Sequence, residues 1–148
     1  MDVKSILKAK GNNVVTVEPH IPVATAVHLL KDEGIGAIVV SDNGKRVLGI
    51  VSERDVVMGL ATHGEDLLNR RVSEILTKEV VTCQPTDSVK QLMTEMTHQR
   101  VRHLPVVEND ELCGMVSIGD IVKNRLAEAE METGVLRDAY IAKSSLPG

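Results

Sequence analysis

The strongest constraint on the fold is that the chain repeats itself. Val14-Val-Thr-Val-Glu-Pro19 returns as Val80-Val-Thr-Cys-Gln-Pro85, an offset of 66 (from 14 to 80), and Val23 and Val40 fall on Val89 and Val106 at the same spacing. After one residue is dropped in a loop, Gly49, Val51, Ser52, Asp55 and Val57 fall on Gly114, Val116, Ser117, Asp120 and Val122, an offset of 65 (from 49 to 114). A period of that length means two copies of one supersecondary unit, and any fold for the chain has to house both.

Both copies share a coarse grammar. Residues 2–9 predict a lead-in helix ended by Gly11-Asn-Asn, and residues 14–17 a strand closed by Pro19. Val23, Ala26, Val27 and Leu30 then recur at the spacing of a helix with one buried stripe, matched in the second copy by Val89, Leu92, Met93 and Met96. The apolar run 37–40 predicts a strand covered on both faces, Asp42-Asn-Gly44 a turn, and residues 47–51 the next strand. A helix over 53–61 follows, broken at Thr62-His-Gly64, and 65–76 reads as a helical link.

The second copy predicts a strand at 80–83, a helix at 88–99, strands at 103–107 and 112–116 around the turn Glu108-Asn-Asp110, and a helix at 118–131. Past Thr133-Gly134, residues 135–142 predict an extra helix outside the repeat, and 144–148 a frayed end. One such unit cannot bury its apolar surface alone, whereas two can pack as one globule.

The centre of each copy is Gly49-Ile-Val-Ser-Glu-Arg-Asp55 and Gly114-Met-Val-Ser-Ile-Gly-Asp120. In both, a short apolar strand runs into a Ser that can cap a helix, with an Asp three residues later in the first turn. Backbone N–H groups, the positive end of the helix dipole and a carboxylate then face one point, where a phosphate beside a sugar hydroxyl would fit. The same residues also spell a capping box, in which Ser and Asp merely close the helix end.

Composition narrows the classes. With 17 Lys and Arg against 21 Asp and Glu, net charge −4 and no basic run, the chain has little to neutralise a nucleic-acid backbone, so nucleic acid is not expected as its main ligand. No apolar run is long enough to span a bilayer and Met1-Asp-Val-Lys-Ser lacks the flank and greasy stretch of a leader, so no membrane insertion and a cytoplasmic location are expected. Cys83 and Cys113 have neither disulfide-framework nor Cys-x-x-Cys spacing and read as small buried hydrophobes. His20, His28, His63, His98 and His103 show no ligand spacing, so no metal is expected. There is no Gly-x-x-x-x-Gly-Lys phosphate loop, Gly34-Ile-Gly36 enters a strand rather than a helix, and no Ser stands in a Gly-x-Ser-x-Gly elbow. No catalytic residues are expected, and the chain reads as a non-enzyme.

The repeat, the Val-x-Pro end of the first strand (Val17-Glu-Pro19, with Cys83-Gln-Pro85 differing by Cys) and the twin Gly-x-Val-Ser-x-x-Asp turns together resemble a CBS-domain pair, or Bateman module, over residues 1–130. The resemblance implies a mixed α/β (α+β) fold: two β-α-β-β-α repeats packed as one pseudo-two-fold globule, with a C-terminal helical extension. Residues 1–70 would be the first repeat, 71–131 the second and 132–148 the tail.

The resemblance also implies a regulatory module for an adenosyl ligand, AMP, ADP, ATP, NAD or S-adenosylmethionine, bound in the cleft between the repeats. On this chain Asp55 and Asp120 would accept from ribose hydroxyls, and Ser52 and Ser117 would meet phosphate. The Asp120 site, with Ile118 and Gly119, would be completed by Lys10, Val15, Gly36 and Ala37; the Asp55 site by Val81, Arg102 and His103 with its own Glu53 and Arg54. Arg54 has no counterpart in Ser-Ile-Gly-Asp, so the two sites are not equivalent, and with Arg54, Arg102 and His103 assigned to it the Asp55 site is expected to take the more highly charged ligand. With Tyr140 the single ring, adenine would be clamped by aliphatic side chains. A homodimer and a regulated enzyme or transporter are the partners implied. The alternative is a ligand-free structural or dimerisation subunit whose caps are only caps.

Overall fold

The computed structural model describes the backbone of residues 1–144 and the side chains of residues 1–131. The elements run α1 (Val3–Lys10), β1 (Thr16–Val17), α2 (Val23–Glu33), β2 (Ala37–Val40), β3 (Gly49–Ser52), α3 (Glu53–His63), α4 (Val89–Gln99), β4 (His103–Glu108), β5 (Glu111–Ser117) and α5 (Ile118–Ser144). The expected helical link after α3 is instead two 3-10 turns, Gly64–Asn69 and Val72–Glu74. Its backbone is drawn off to tertiary partners, since Val72 N–H donates to Ile21 O at 2.9 Å and Ser73 N–H to Pro19 O at 2.9 Å.

The predicted stripes are the buried faces of the helices. Val23, Ala26 and Leu30 line α2, and Val89, Leu92 and Met96 line α4. Gly34 ends α2 in the left-handed region at φ 62°, a conformation glycine adopts without strain, while Arg100 occupies the equivalent place after α4 at φ 54°.

The two sheets differ. In the first half β1 lies parallel to β2 and β2 antiparallel to β3, with Thr16 opposite Val39 and Ala37 opposite Ser52. In the second half β4 and β5 form a hairpin with His103 opposite Ser117, and the strand expected at 80–83 shrinks to one parallel bridge between Cys83 and Val106. The cause is Pro105. In the first half Val39 N–H donates to Val15 O at 3.2 Å, but Pro105 stands where Val39 does, 66 residues on, and has no N–H for Val81.

Each half has its own core, and the lead-in segments cross between them. The first core gathers Val17, Ala26, Leu30, Ile38, Val40 and Val51 together with Val72 from the link. The second gathers Leu92, Met96, Leu104, Val106, Val116 and Ile121 together with Val3, Ile6 and Leu7 of α1. Backbone bonds tie the exchange down: Val3 N–H donates to Asp87 O at 2.9 Å, Val89 N–H to Met1 O at 3.0 Å, and Val23 N–H to Arg70 O at 2.7 Å.

The crossing explains the glycine that opens each motif. A Cβ on Gly114 would stand 2.7 Å from a Leu7 methyl, and a Cβ on Gly49 would stand 2.5 Å from Leu76 Cδ1 and 2.8 Å from Thr77 O. In both places the incoming lead-in needs the space that a side chain would fill.

α5 runs unbroken through Thr133-Gly134, so the separate helix expected at 135–142 is its continuation. A glycine inside a helix costs only about 1 kcal/mol against alanine, too little to stop a helix already anchored by its first turns. Of the frayed end expected at 144–148, Ser144 closes α5 and the rest lies outside the described residues. Among the described residues no helix is long and apolar enough to cross a membrane.

Candidate functional site

Both Ser-x-x-Asp turns fold as capping boxes. Ser52 N–H donates to Asp55 Oδ2 at 2.9 Å and Asp55 N–H to Ser52 Oγ at 3.4 Å; Ser117 N–H donates to Asp120 Oδ2 at 2.8 Å and Asp120 N–H to Ser117 Oγ at 3.1 Å. The local reading thus accounts for the Ser and one carboxylate oxygen at each turn.

It does not account for the third partner. Lys10 Nζ, at the last residue of α1, donates to Asp120 Oδ2 at 2.7 Å and to Met115 O at 2.9 Å. On the other side Thr77 Oγ1 donates to Asp55 Oδ1 at 3.0 Å, while its backbone exchanges hydrogen bonds with Ile50, N–H to O at 2.9 Å and O from N–H at 3.0 Å. Ile50 and Met115 are the same position of the two motifs, 65 residues apart. Each motif carboxylate therefore meets a side chain from the exchanged lead-in. Thr77 was not legible as a site residue; the available signal was its place just ahead of Val80, where Lys10 stands just ahead of Val14.

The two halves also touch between the motifs. Gly36 faces His103, and a Cβ on Gly36 would lie 3.0 Å from His103 Nε2 and 3.5 Å from Glu53 Oε1. Glu53 N–H donates to Gly36 O at 3.1 Å, and Ile118 N–H to Arg102 O at 2.8 Å, so α3 and α5 start from equivalent carbonyls. Ala37 is held opposite Ser52 and His103 opposite Ser117 by the strand registers.

Of the residues named from sequence, Lys10, Ser117 and Asp120 form one bonded cluster, and Gly36, Glu53 and His103 a second in contact. Val15 and Val81 pack against separate cores. Arg54, Arg102 and Gly119 are exposed, and among the described residues no ion pair reaches the two arginines. Two open depressions, of about 510 Å³ on the outer face of α5 beginning at Ile118 and Gly119, and about 610 Å³ along α4, include neither motif carboxylate.

Charge is balanced around His103. Burial lowers its proton affinity, Glu53 and Asp120 pull the other way, and Lys10 and Arg102 reinforce the lowering, so the ring is neutral at neutral pH. Burial opposes ionisation of Asp120, but the Lys10 ammonium and the Ser117 N–H outweigh it and hold the carboxyl below its ordinary range. Cys83 is buried and pushed up to about 12 by that burial, whereas Cys113, expected buried, is only partly so and is raised by the same cause. Among the described residues no group of His, Cys, Asp and Glu could hold a metal ion.

The family described as CBS domain matches residues 3–62 and 72–127. A CBS-domain containing protein from Agrobacterium tumefaciens, ATU1752, is 46% identical and superposes with a TM-score of 0.82 over 84% of this chain and 99% of its own. The CBS domain pair of protein MJ0100, crystallised with 5′-methylthioadenosine and S-adenosyl-L-methionine, shares the fold at 22% identity and a TM-score of 0.77, over 86% of this chain and 98% of its own. An uncharacterised 33.4 kDa protein in a ribosomal RNA operon of Thermofilum pendens is 43% identical over 96 residues, which are 65% of this chain and 31% of that protein's length.

Proposed function

The chain belongs to the CBS-domain family, and from that premise we propose that it is a regulatory module that binds an adenosyl ligand between its two repeats and reports the occupancy to a partner. One observation carries the reading: Gly36 and Glu53 of the first half face His103 of the second beside the two motif turns, so a ligand seated there would bear on both halves at once. The chemistry on offer is a carboxylate for vicinal hydroxyls, a helix N-terminus for phosphate and aliphatic walls for adenine. AMP, ADP, ATP, NAD and S-adenosylmethionine are the candidate ligands, and binding one of them would favour one arrangement of the halves over another. The two compounds crystallised with MJ0100 belong to the same chemical class. The role is binding rather than catalysis.

Differential scanning fluorimetry with these five ligands tests it. At least one is expected to raise Tm, with the rise reduced in Asp55→Ala or Asp120→Ala. A chain whose Tm none of them moves does not have this function.

A second reading rests on separate residues. Val57, Met58 and Leu60 on α3 are 63%, 59% and 48% exposed, and Val122 and Leu126 on α5 are 50% and 54% exposed. Val57 and Val122 are the same position of the two repeats, so the exposed apolar face is duplicated about the pseudo-axis. A homodimer through these faces fits either a sensor or a constitutive scaffold, and sedimentation equilibrium with and without ligand separates the two.

A further inference from the structure

The two repeats place different donors on equivalent carboxylates. At Asp120 the donor is an ammonium, 2.7 Å from Oδ2 and 2.9 Å from Met115 O. At Asp55 it is a hydroxyl, 3.0 Å from Oδ1. Those bonds leave different capacity. A lysine has three N–H protons, so Lys10 keeps one after serving Asp120 and Met115; a threonine hydroxyl has one, and Thr77 has already given it to Asp55. The acceptors differ in the same direction. Ser52 takes Oδ2 of Asp55 with both its N–H and its hydroxyl, and Thr77 takes Oδ1, whereas among the described residues no hydrogen bond reaches Asp120 Oδ1.

Mobility adds to the contrast. Thr77 is fixed through its backbone to Ile50, while Lys10 stands at the exposed end of α1, its side chain 36% accessible on a flexible stem. Lys10 can follow an incoming anion without leaving its carboxylate.

We propose that Lys10 makes the Asp120 pocket the one that selects an anionic, phosphate-bearing adenosyl ligand, and that Thr77, in the equivalent place, leaves the Asp55 pocket without that selection. The inference rests on the function proposed above and reverses the expectation drawn from the basic residues beside Asp55. Arg54 is the competing cation. It is exposed in the first turn of α3 and, among the described residues, pairs with nothing.

Isothermal titration of the full chain with adenosine and with AMP tests it, using Asp55→Ala to isolate the Asp120 pocket and Asp120→Ala to isolate the other. In the Asp55→Ala chain AMP is expected to bind about tenfold more tightly than adenosine, the scale of one charge-assisted hydrogen bond. Adding Lys10→Met should bring that ratio close to one, whatever its effect on adenosine affinity itself, and Lys10→Arg should restore it. In the Asp120→Ala chain the ratio should already be close to one.

Phosphate preference that survives Lys10→Met, or that resides in the Asp120→Ala chain and is lost there with Arg54→Ala, overturns the assignment while leaving the nucleotide-binding function intact. If the unsubstituted chain binds neither compound, nor any of the five ligands named above, the function itself falls and this inference with it.

Discussion

The Asp55 end and the Asp120 end are built from one duplicated phrase and closed by different means. At the Asp55 end the incoming lead-in adds backbone to its side chains: besides Leu76 against Gly49 and the Thr77 hydroxyl on Asp55, Thr77 exchanges two hydrogen bonds with Ile50, and its carbonyl comes within 2.8 Å of where a Gly49 Cβ would be. At the Asp120 end it presents side chains, the Leu7 methyls against Gly114 and the Lys10 ammonium on Asp120. The strand, Ser cap and Asp are common property. The difference shows that a duplicated framework can be kept while the segment that crosses over sets what each end can bind and how far it can yield.

The contrast is most exposed by truncating the two leucines. Leu7 is 6% exposed inside the second core, whereas Leu76 is only partly buried at the edge of the first. Leu7→Ala is expected to cost about 2–5 kcal/mol in urea denaturation, as cavity-forming substitutions in cores do, and Leu76→Ala less than half of that. Equal losses would mean that side-chain seating is no more important at one end than at the other.

The glycines come next, with the order reversed. Gly49→Ala forces a Cβ against a backbone carbonyl and should cost about 1–3 kcal/mol, while Gly114→Ala meets leucine side-chain atoms and no backbone and should cost less. If Gly114→Ala proves the worse of the two, the Asp120 end is the rigid one.

The smallest effect is in pH. His103 stands where the first repeat has Ala37, so only one end titrates near neutrality. Because burial lowers its proton affinity in the folded chain, the unfolded chain binds the proton first. Stability is full above about pH 6.5 and declines as pH falls from there through the lowered value. Circular-dichroism melts of His103→Gln should show a flatter dependence between about pH 7 and 5 than the unsubstituted chain. The contribution of Asp120, whose folded value is likewise depressed, is lost only below about pH 4 and so does not overlap this window.

Much of this was written in local pattern. The offset between repeats, the helix stripes and the Ser and Asp of each motif are decided by residues near in sequence, and each took the form its spacing predicts. What was hidden depends on residues far apart. Nothing in residues 2–9 tells that α1 joins the core of the second repeat, because that choice is made by the gap over Gly114. The strand lost at 80–83 was legible only by pairing it with Pro105, some twenty residues away, and asking which N–H the proline lacks. The link between repeats carries helix-forming residues but gives its N–H groups to Ile21 and Pro19, so tertiary demand overrode propensity. Thr77 went unseen for a related reason: a threonine in an extended segment has no sequence mark until its carboxylate partner, 22 residues earlier, is known.

The crossed lead-ins also set a timetable. The carboxylate that Lys10 holds is made 110 residues after it. Until then α1 has no berth, and the earlier-made repeat waits likewise for Val72 to complete its interior. The first half has all its core residues once Leu76 is made, but the second cannot close over α1 until Gly114 and Asp120 follow, so its assembly is late and of high contact order, and a nascent chain halted between them would expose the apolar face of α1.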